Sequence, residues 1–523
     1  MACWPIRRHV VWPRSLNSAA TEESMEHVTH AAAPISPANR FERALEAAFP
    51  GWALRRSIAR MGLEYARSYD AAKSGRRTAG WSATGGSANA ELAEGLARIR
   101  NRARDMVRNN EYAKRATSVF ASNVVGYGIT ITPENAREAE SWQAWSDSLD
   151  CDADGTDNLG GLMRLGVTER FSAGEVLIRR RWRRLSDGYT IPLQIQLLEP
   201  DFLDESKTGP IGSSGNYCIL GKEYDALGTC VAYWLFPEHP GELAGWRARS
   251  FQSRRVPASE VIHYRRRDRP SAVRGVSELA VSLMRYRDLA DYLDAELIRK
   301  KMEACVVAII SSDKPDKGLG LAGSEKGVEK MRPGMIGRVG ASEQVTFNNP
   351  IPSSGGGEFT RHQLHALAVG SGITYAQLTG DMSQANFASN RMGLIEFRQM
   401  VEQEQWLALV PQVLQPIRRW WQEAAVLAGV PVGNRAKDKM SMPRKAQVDP
   451  LKDTLTAKEA IRGGGMTLSE WLREQGTTLD AYIEERRTEI DKLKTAGIVV
   501  DTDAIVTELG LTGADALKHT ADN

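Results

Sequence analysis

Paired cysteines and long apolar runs are both missing from this chain of 523 residues. Its cysteines, Cys3, Cys151, Cys218, Cys230 and Cys305, are scattered, and none forms a Cys-x-x-Cys pair. This pattern argues against a disulfide framework and against a zinc site, and it favours a reducing cytosol. No apolar run approaches the roughly 20 residues that a bilayer-spanning helix needs, so we expect no membrane partner.

An excess of charge of either sign is also absent. The chain has 68 basic and 65 acidic residues, which leaves a formal net charge of +3. Tight nucleic-acid binders concentrate lysine and arginine, so this balance argues against a surface that grips phosphate throughout. It allows a protein that touches DNA weakly or lets it pass. The length predicts several domains.

The motifs of nucleotide-binding enzymes are incomplete. An ATPase phosphate loop ends in Gly-Lys-Ser or Gly-Lys-Thr, whereas Gly221-Lys222 precedes Glu223. The run GLGLAG at 318–323 matches a dinucleotide-binding pattern, but several residues separate it from the strand expected at 306–310. A flexible loop is therefore the favoured interpretation, and we expect no cofactor.

Two patterns resemble metal sites and also fall short. Asp152, Asp154 and Asp157 resemble a calcium loop, but the sixth position lacks glycine and the twelfth lacks glutamate, so capping acids and a turn are favoured. His362 and His365 lie three residues apart on an expected helix without an acidic or cysteine partner cluster. Solvated or packed histidines are favoured there, and we expect no metal.

The pattern of apolar residues predicts an α+β fold that is mainly α. The stretch 97–132 predicts one long helix, stopped by glycines and followed by a strand. The segments 175–184 and 190–198 flank Asp187-Gly188 and predict a β-hairpin. Further strands are expected at 232–236 and 261–264.

A basic row is expected on this hairpin. Alternation along a strand places Arg179, Arg181 and Arg183 on one face. Contact with phosphates or with an acidic partner is one interpretation. A solvated face or ion pairs between subunits is the alternative, and it is the favoured one.

The character of the sequence changes after residue 275. Apolar residues then repeat at alternating steps of four and three, which predicts a helical seam. The seam residues are Leu279, Leu283, Tyr286, Ala290, Leu293 and Leu297. A helix starting near Phe359, a short polar loop at 379–390 and a long helix at 389–427 follow, with Pro411 and Pro416 expected to kink the last one.

Several segments, in consistent order, resemble lambda-type tailed-phage portal proteins. They begin with R-x-x-x-R-x-x-x-R-N-N-x-Y-A-x-R, which closes in N-V-V-G-x-G-I, and continue with GEVLIRRR and QLLEPDFLD. Later segments are RVPASEVIHYRRRDRPSAVRGVSELA, DLADYLDAELIRKKMEA, FTRHQLHALAVGSGITYAQLTGDMSQANFASNRMGLIEFR and VDPLKDTLTAKEAIRGGGMTLSEWLREQG. The resemblance covers about 91–482, and no part of it is catalytic.

The resemblance implies a portal fold assembled as a ring. Composition suggests a disordered leader at 1–40. The implied parts are a mixed α/β wing (41–275), a first stem helix (276–303), a clip (304–357), a second stem helix (358–378), a tunnel loop (379–390), a kinked tunnel helix with the start of a crown (391–430) and a helical crown or tail region (431–523).

The implied function is a non-enzymatic channel at one capsid vertex. DNA would be packaged and ejected through it without sequence specificity, and a ring of about twelve subunits would join head to tail. Implied partners are the large terminase subunit, head-completion or adaptor proteins, and major capsid and scaffold proteins. The implied location is the virion, and the bacterial host cytoplasm during assembly. The DNA-facing loop residues would be Asp381, Ser383, Gln384, Asn386, Ser389, Asn390 and Arg391.

Other functions are considered beside this one. A DNA-processing enzyme of the packaging apparatus, such as a terminase subunit or a nuclease, is the runner-up. A structural adaptor without a DNA channel is a third possibility.

Overall fold

The computed structural model describes residues 85–212, 215–242, 252–304, 308–312, 343–347, 356–383, 387–445 and 449–496. The chain divides at Gly85, and all elements given below belong to the second unit, Gly86–Asn523. The expected leader at 1–40, the motif at 318–323, and Gln384 and Asn386 lie outside the described residues.

Helices and strands alternate in the first half of the described chain. The elements in chain order are α1 (Ala88–Ala93), α2 (Leu96–Asn109), α3 (Glu111–Val125), β1 (Thr130–Thr132), α4 (Ala136–Asp147), α5 (Leu159–Ala173), β2 (Glu175–Trp182), β3 (Leu193–Leu198), β4 (Gly209–Ile211), β5 (Asn216–Ile219), β6 (Lys222–Tyr224), β7 (Cys230–Leu235), β8 (Arg254–Pro257) and β9 (Val261–Arg265).

The second half is mainly helical. Its elements are α6 (Leu283–Ala304), β10 (Ala308–Ser312), β11 (Glu343–Phe347), α7 (Gly356–Gly370), α8 (Tyr375–Thr379), α9 (Phe387–Glu404), a π-helical segment (Gln405–Leu414), α10 (Gln415–Leu427), β12 (Lys439–Ser441), α11 (Pro450–Arg462), α12 (Leu468–Glu474) and α13 (Leu479–Ala496). This agrees with the expected mixed fold in which helix predominates.

The strands form small antiparallel sheets. A three-stranded sheet has the order β3-β2-β9, and a five-stranded sheet has the order β4-β5-β6-β7-β8. Two pairs, β1-β12 and β10-β11, stand apart from these. The hairpin expected around Asp187-Gly188 is confirmed as β2 and β3, in which Arg179 lies opposite Gln196 and Arg181 opposite Gln194.

The prediction of a single helix between residue 97 and the glycines is wrong, because the chain forms two helices there, α2 and α3. Asn110 separates them in an extended conformation, and its side-chain oxygen accepts hydrogen bonds from the backbone N–H groups of Tyr112 and Ala113. Asparagine is a strong N-cap residue, so it ends one helix while starting the next. The apolar spacing continues across the break, which conceals it in the sequence.

The main core lies where α3 and α5 meet the three-stranded sheet and the long C-terminal helices. Phe120 on α3 and Phe171 on α5 pack with ring centroids 4.9 Å apart. On the far side, the buried Arg418 guanidinium lies between the rings of Trp142 and Trp421 and pairs with Glu138 at 2.5 Å. This contact joins α10 to α4, so α10 is part of the same core.

A second, smaller core lies between the two larger sheets. Leu177 and Leu198 of the three-stranded sheet pack there with Tyr233, Leu235 and Val256 of the five-stranded sheet. Leu177 shares its face of β2 with Arg179, because alternate residues of a strand point the same way. The arginine row therefore continues outward from this second core.

A buried polar cluster ties the start of β2 to the chain leading into α6. The Glu175 carboxylate accepts hydrogen bonds from Arg274 Nε at 2.7 Å, from the Gly275 N–H at 2.8 Å and from His263 Nε2 at 2.8 Å. Burial and the neighbouring Lys222 cation lower the pKa of His263 to about 3, so the ring is neutral. A neutral ring donates through Nε2 and leaves Nδ1 without a proton, in agreement with its lack of a partner.

Candidate functional site

The helix expected at 276–303 begins later than its apolar spacing predicts. Helix α6 starts at Leu283 rather than at residue 276, and the preceding residues form turns fastened to the end of α5. The Glu278 N–H donates to the Phe171 carbonyl, and the Ser277 hydroxyl accepts from the Leu279 N–H. These bonds hold the segment in a non-helical path, although its apolar spacing is that of a helix.

Only the first half of the expected seam is buried within the chain. Leu279, Leu283 and Tyr286 are buried, and the Tyr286 hydroxyl bonds to Ser371 Oγ at 2.8 Å between α6 and the chain after α7. Ala290 is only half-buried, because Leu289 occupies the core position beside it, and Leu297 is 52% exposed. Within the chain the buried face thus runs through Leu289 instead of Ala290, and the seam at Leu297 stays a prediction for contact with another subunit. Near the end of α6, the chain does not cover its own apolar side chains.

The region 358–378, which the resemblance implies to be the second stem helix, contains parts of two helices. Helix α7 ends at Gly370, and α8 covers only Tyr375–Thr379. Between them Gly372 adopts a positive φ of 67°, which favours glycine and ends the helix. Thr374 and Gln377 then form a capping box that starts α8.

The polar loop after α8 is shorter than expected. Residues 379–390 were expected to be loop, but α9 starts at Phe387, so Ser389, Asn390 and Arg391 lie in its first turns. The segment 387–390 contains no proline or glycine, so its composition does not oppose a helix. Asp381 and Ser383 lie in the loop itself.

The described part of the loop is ordered by its own side chains. Asp381 accepts a hydrogen bond from the Ser383 N–H at 2.9 Å and a longer one from the Tyr375 hydroxyl at 3.4 Å. These bonds, led by the one from Ser383, lower the pKa of Asp381. Its backbone N–H donates to the Thr379 hydroxyl. The loop thus carries a fixed negative charge close to helix α8.

Little free positive charge accompanies this loop. The sequence has no lysine or arginine from 379 to 390. The first cation, Arg391, lies 3.4 Å from the Asp453 carboxylate of α11. Arg115 of α3 approaches from the other side, but its Nε donates to the Gln377 carbonyl of α8. The segment itself thus offers no cation before Arg391, and the cations that approach it from other helices are Arg115 and Arg361, the latter acting electrostatically on Asp381.

The long helix after the loop is interrupted by its first proline, as expected. From Gln405 to Leu414 the helix is π-helical and contains Pro411. Proline has no N–H to donate and its ring crowds the preceding turn, so a wider turn accommodates it. Pro416 lies in the first turn of α10, where a missing donor is tolerated.

The π-helical segment begins beside a buried ion-pair hub. Arg170 of α5 donates to Glu404, the last residue of α9, at 2.9 Å, and to Glu278 at 2.8 Å. The guanidinium also lies over the rings of Phe120 and Tyr264. Sequence reasoning missed this hub, because its members are far apart in the chain and form no motif.

The structure brings the predicted arginine row together on one face. Arg181 Nε donates to Gln196 at 2.8 Å, and Arg183 Nε donates to Gln194 at 2.5 Å. Burial, followed by the nearby Arg179 and Arg183, lowers the pKa of Arg181. The row lies on a different element from the loop, so the two are separate surfaces.

The other candidate motifs have structural roles. The Asp152 carboxylate accepts hydrogen bonds from the backbone N–H groups of Asp154, Thr156 and Asp157, which makes it the centre of a turn, as expected. His365 stacks on Tyr375 with centroids 4.2 Å apart, and His362 is exposed. Neither pattern holds the arrangement that a metal would need.

Comparison with known proteins identifies the family. Residues 74–405, more than half of the chain, match the model of "Phage portal protein, lambda family". A probable portal protein of Halomonas phage phiHAP-1 is 27% identical over 400 residues, covering 69% of this chain and 74% of the relative. The portal protein of Escherichia phage N15 is 22% identical over 419 residues, covering 71% and 77%.

The chain belongs to the lambda family of phage portal proteins. Among solved structures, the neck of a native GTA particle, computed with C12 symmetry, is similar with a TM-score of 0.41 and 13% identity, covering 70% of this chain and 91% of that one. An HK97-family phage portal protein from Corynebacterium diphtheriae gives a TM-score of 0.31 and 10% identity, covering 68% and 97%.

Membership confirms the portal function expected from the resemblance. Portal proteins of this family are structural channel proteins and not enzymes, which excludes the alternative of a DNA-processing enzyme. Within the described ranges, no helix combines the length and apolar character that crossing a membrane requires.

One group of side chains after β3 and β7 brings three potential metal-ligand atoms together. Donor atoms of Glu199, Asp201 and His239 lie within 4.8 Å of one another. The Arg104 guanidinium already lies against the same carboxylates, 2.9 Å from Glu199 and 2.7 Å from Asp201. A cation of the chain itself thus balances these charges, and the group is an ion-pair network that joins α2 to the chain after β3.

Proposed function

We propose that this portal protein assembles with copies of itself into a ring whose central channel conducts double-stranded DNA. The observation that carries the proposal is the uncovered apolar surface on its stem and tunnel helices. Leu297 and Ile298 on α6 are 52% and 57% exposed. Val369 on α7 is 81% exposed, and Leu407 in the π-helical segment is 73% exposed.

Such side chains are expected at an interface between subunits. Isolated exposed apolar residues are common, but a succession of them on packed helices marks a surface that another protein covers. A ring repeats one head-to-tail contact, so each subunit needs two different surfaces that fit each other. The uncovered side of α6 and the surface that bears Val369 and Leu407 would supply them.

The loop between α8 and α9 would face the channel. Its described residues include Asp381, Ser383 and the exposed Met382 but no cation, and the Arg391 cation beside it pairs with Asp453. Cations that neutralise phosphates make DNA binding tight, whereas a surface without them lets DNA slide. We assign Asp381, Ser383, Ser389 and Asn390 to this channel surface, with the neighbouring Gln384, Asn386 and Arg391.

The remaining parts would follow the family plan. The region 304–357, of which the structure describes the β10-β11 pair, would be the clip that meets the large terminase subunit or head-completion proteins. The wing would face the capsid and scaffold proteins. The ring would occupy one capsid vertex of the virion after assembly in the bacterial cytoplasm, with about twelve subunits.

Electron microscopy of the purified full-length protein tests the proposal, with mass photometry of the same sample. Rings with a central hole wide enough for duplex DNA, at the mass of about a dozen 57.7 kDa chains, are expected. Where the protein alone stays monomeric, the same measurement after adding scaffold protein is the decisive one. A compact dimer or tetramer without a hole, unchanged by scaffold, would contradict the ring.

A further inference from the structure

Three arginines on β2 and just after it, two half-buried and one exposed, differ from the ion-paired arginines of the same region. Arg100, Arg104, Arg170 and Arg274 each pair with at least one carboxylate. Arg179, Arg181 and Arg183 (the arginine row) have no carboxylate within 4.0 Å in the part of the chain that the structure describes. The three cations repel one another, and Glu260 offsets this repulsion at Arg181 without forming an ion pair with it.

Neutral glutamines hold Arg181 and Arg183 through their Nε atoms and leave the terminal nitrogens of both guanidinium groups available to a ligand. Gln196 and Gln194 each accept from the Nε of an arginine, at 2.8 and 2.5 Å. Gln194 is itself fixed, because its Nε2 donates to the carbonyls of Asp150 and Asp152 at 3.1 and 2.8 Å. The terminal nitrogens of Arg181 and Arg183 have no acceptor among the described residues. Guanidinium groups fixed in this way are ready to bind carboxylate or phosphate oxygens.

The shape of the row favours a narrow ligand over a duplex. Arg179, at its inner end, is half-buried, and its Nε is enclosed without a hydrogen-bond partner. A flexible side chain can approach a half-buried guanidinium, whereas the backbone of a wide duplex would meet the exposed Arg183 first. Three phosphate contacts would also give only weak DNA binding.

The spacing of the row matches an extended polypeptide. Alternate residues of a strand are about 6.7 Å apart, and this repeat is shared by carboxylates at alternate positions of an extended peptide. We propose that the arginine row docks an extended acidic segment of another protein, whose carboxylates pair with Arg179, Arg181 and Arg183. The proposal is independent of the ring and of the channel.

Binding of labelled peptides to the full-length protein, measured by fluorescence anisotropy, tests the docking. The first peptide carries aspartates at three alternate positions of a threonine- and valine-rich decamer. A second has the same composition with the aspartates adjacent, a third has asparagines instead, and a short DNA duplex is the fourth probe. The alternate peptide is expected to bind at least about tenfold more tightly than the other two peptides.

Variants assign the effect to the row. The triple variant Arg179→Gln, Arg181→Gln, Arg183→Gln should weaken binding of the alternate peptide at least about tenfold. The control variant removes the same charge from three exposed positions, Arg102→Gln, Arg137→Gln and Arg164→Gln, and should change binding less than about twofold. The single exposed substitution Arg183→Gln should weaken binding about threefold, and it serves if the triple variant fails to fold.

Three results would overturn the proposal. One is failure of the wild-type protein to bind the alternate peptide. Another is an equal loss in the control variant, which would show a general effect of charge. The third is tighter binding of the duplex than of any peptide, together with loss of that binding in the triple variant. Nucleic acid would then be the ligand.

Discussion

Arg170 and Glu404 form a buried ion pair that joins helix α5 to the point where α9 passes into the π-helical segment. The distance between Nη2 of Arg170 and Oε2 of Glu404 is 2.9 Å, and both side chains are largely shielded from water. The same guanidinium pairs with Glu278, in the turns that lead into α6. One arginine thus links the wing to both helical parts of the proposed channel.

Replacing Glu404 with glutamine should destabilise the protein strongly. The substitution leaves Arg170 buried with one carboxylate instead of two, and removing one partner of a buried pair costs about 3 kcal/mol or more. The free energy of unfolding, measured by chemical denaturation of the full-length protein, gives this cost.

The matched control is Glu423→Gln. Glu423 also pairs with an arginine, Arg180, but it is 47% exposed. Exposed pairs contribute at most about 1 kcal/mol, so this variant should remain close to wild type. Equal losses in the two variants would show that burial of the Arg170 hub has no special importance.

Much of the secondary structure followed from local patterns. The hairpin at Asp187-Gly188 was predictable because the turn signal and the flanking alternation agreed. The disruption at Pro411 was predictable because proline cannot complete a regular helix. The helix break at Asn110 and the non-helical start before Leu283 were missed, because each depends on a cap or a tertiary hydrogen bond that apolar spacing does not reveal.

The candidate site was predictable only in part. The polarity of the loop could be read directly, but its end at Phe387 could not. The arginine row followed from strand alternation, whereas its neutral glutamine partners depend on the register of β2 with β3. The Arg170 hub joins residues more than 200 positions apart in sequence, so no local pattern could reveal it.

The stability of the protein should fall between pH 7 and pH 5 because His263 is buried without its proton. Its folded pKa is lowered to about 3 by burial and by Lys222, while an unfolded histidine titrates near 6.5. The unfolded chain therefore binds a proton that the folded chain does not, and stability decreases as pH falls through this window. Below pH 6 the slope should be about 1.4 kcal/mol per pH unit.

The variant His263→Gln isolates this effect. The unfolding free energy of this variant should decrease less steeply between pH 7 and pH 5 than that of the wild type, although its remaining histidines still titrate. Glu175 does not interfere between pH 7 and pH 5, because the adjacent Arg274 and His263 outweigh its burial and hold its pKa far below this range. Parallel pH profiles for the two proteins would contradict a neutral, buried His263.

Gly275 should not tolerate a side chain. A Cβ built on Gly275 would lie 2.1 Å from the Gly174 carbonyl oxygen, a backbone atom that cannot move aside. Gly275→Ala should therefore cost about 3 kcal/mol or more in unfolding free energy. Gly357→Ala is the control, because its Cβ meets nothing within 4 Å in the first turn of α7. It should be neutral or stabilising by up to about 1 kcal/mol.

Substitutions on the uncovered side of α6 should separate folding from assembly. Leu297→Gln with Ile298→Gln removes exposed apolar surface and should leave the unfolding free energy of the subunit within about 0.5 kcal/mol of wild type. Rings should nevertheless become rarer in electron micrographs and in mass photometry. Leu227→Gln, in the turn between β6 and β7, is the control, since Leu227 is 92% exposed and lies far from this surface in sequence. Normal ring formation by the double variant would show that this side of α6 does not lie at the interface between subunits.

Adding positive charge to the loop should impair DNA passage without preventing ring assembly. Gln384→Lys with Asn386→Lys places new cations in a segment whose sequence carries none from 379 to 390. Each phosphate contact adds affinity and counterion release, and the ring multiplies this by its number of subunits, so DNA should bind and slow. Packaging assays with purified capsids should show a reduced rate that high salt partly restores. The pair Ala226→Lys and Leu227→Lys adds the same charge to the exposed wing turn and should package normally. Normal packaging by the loop variant, in rings of normal appearance, would show that this loop does not face the DNA.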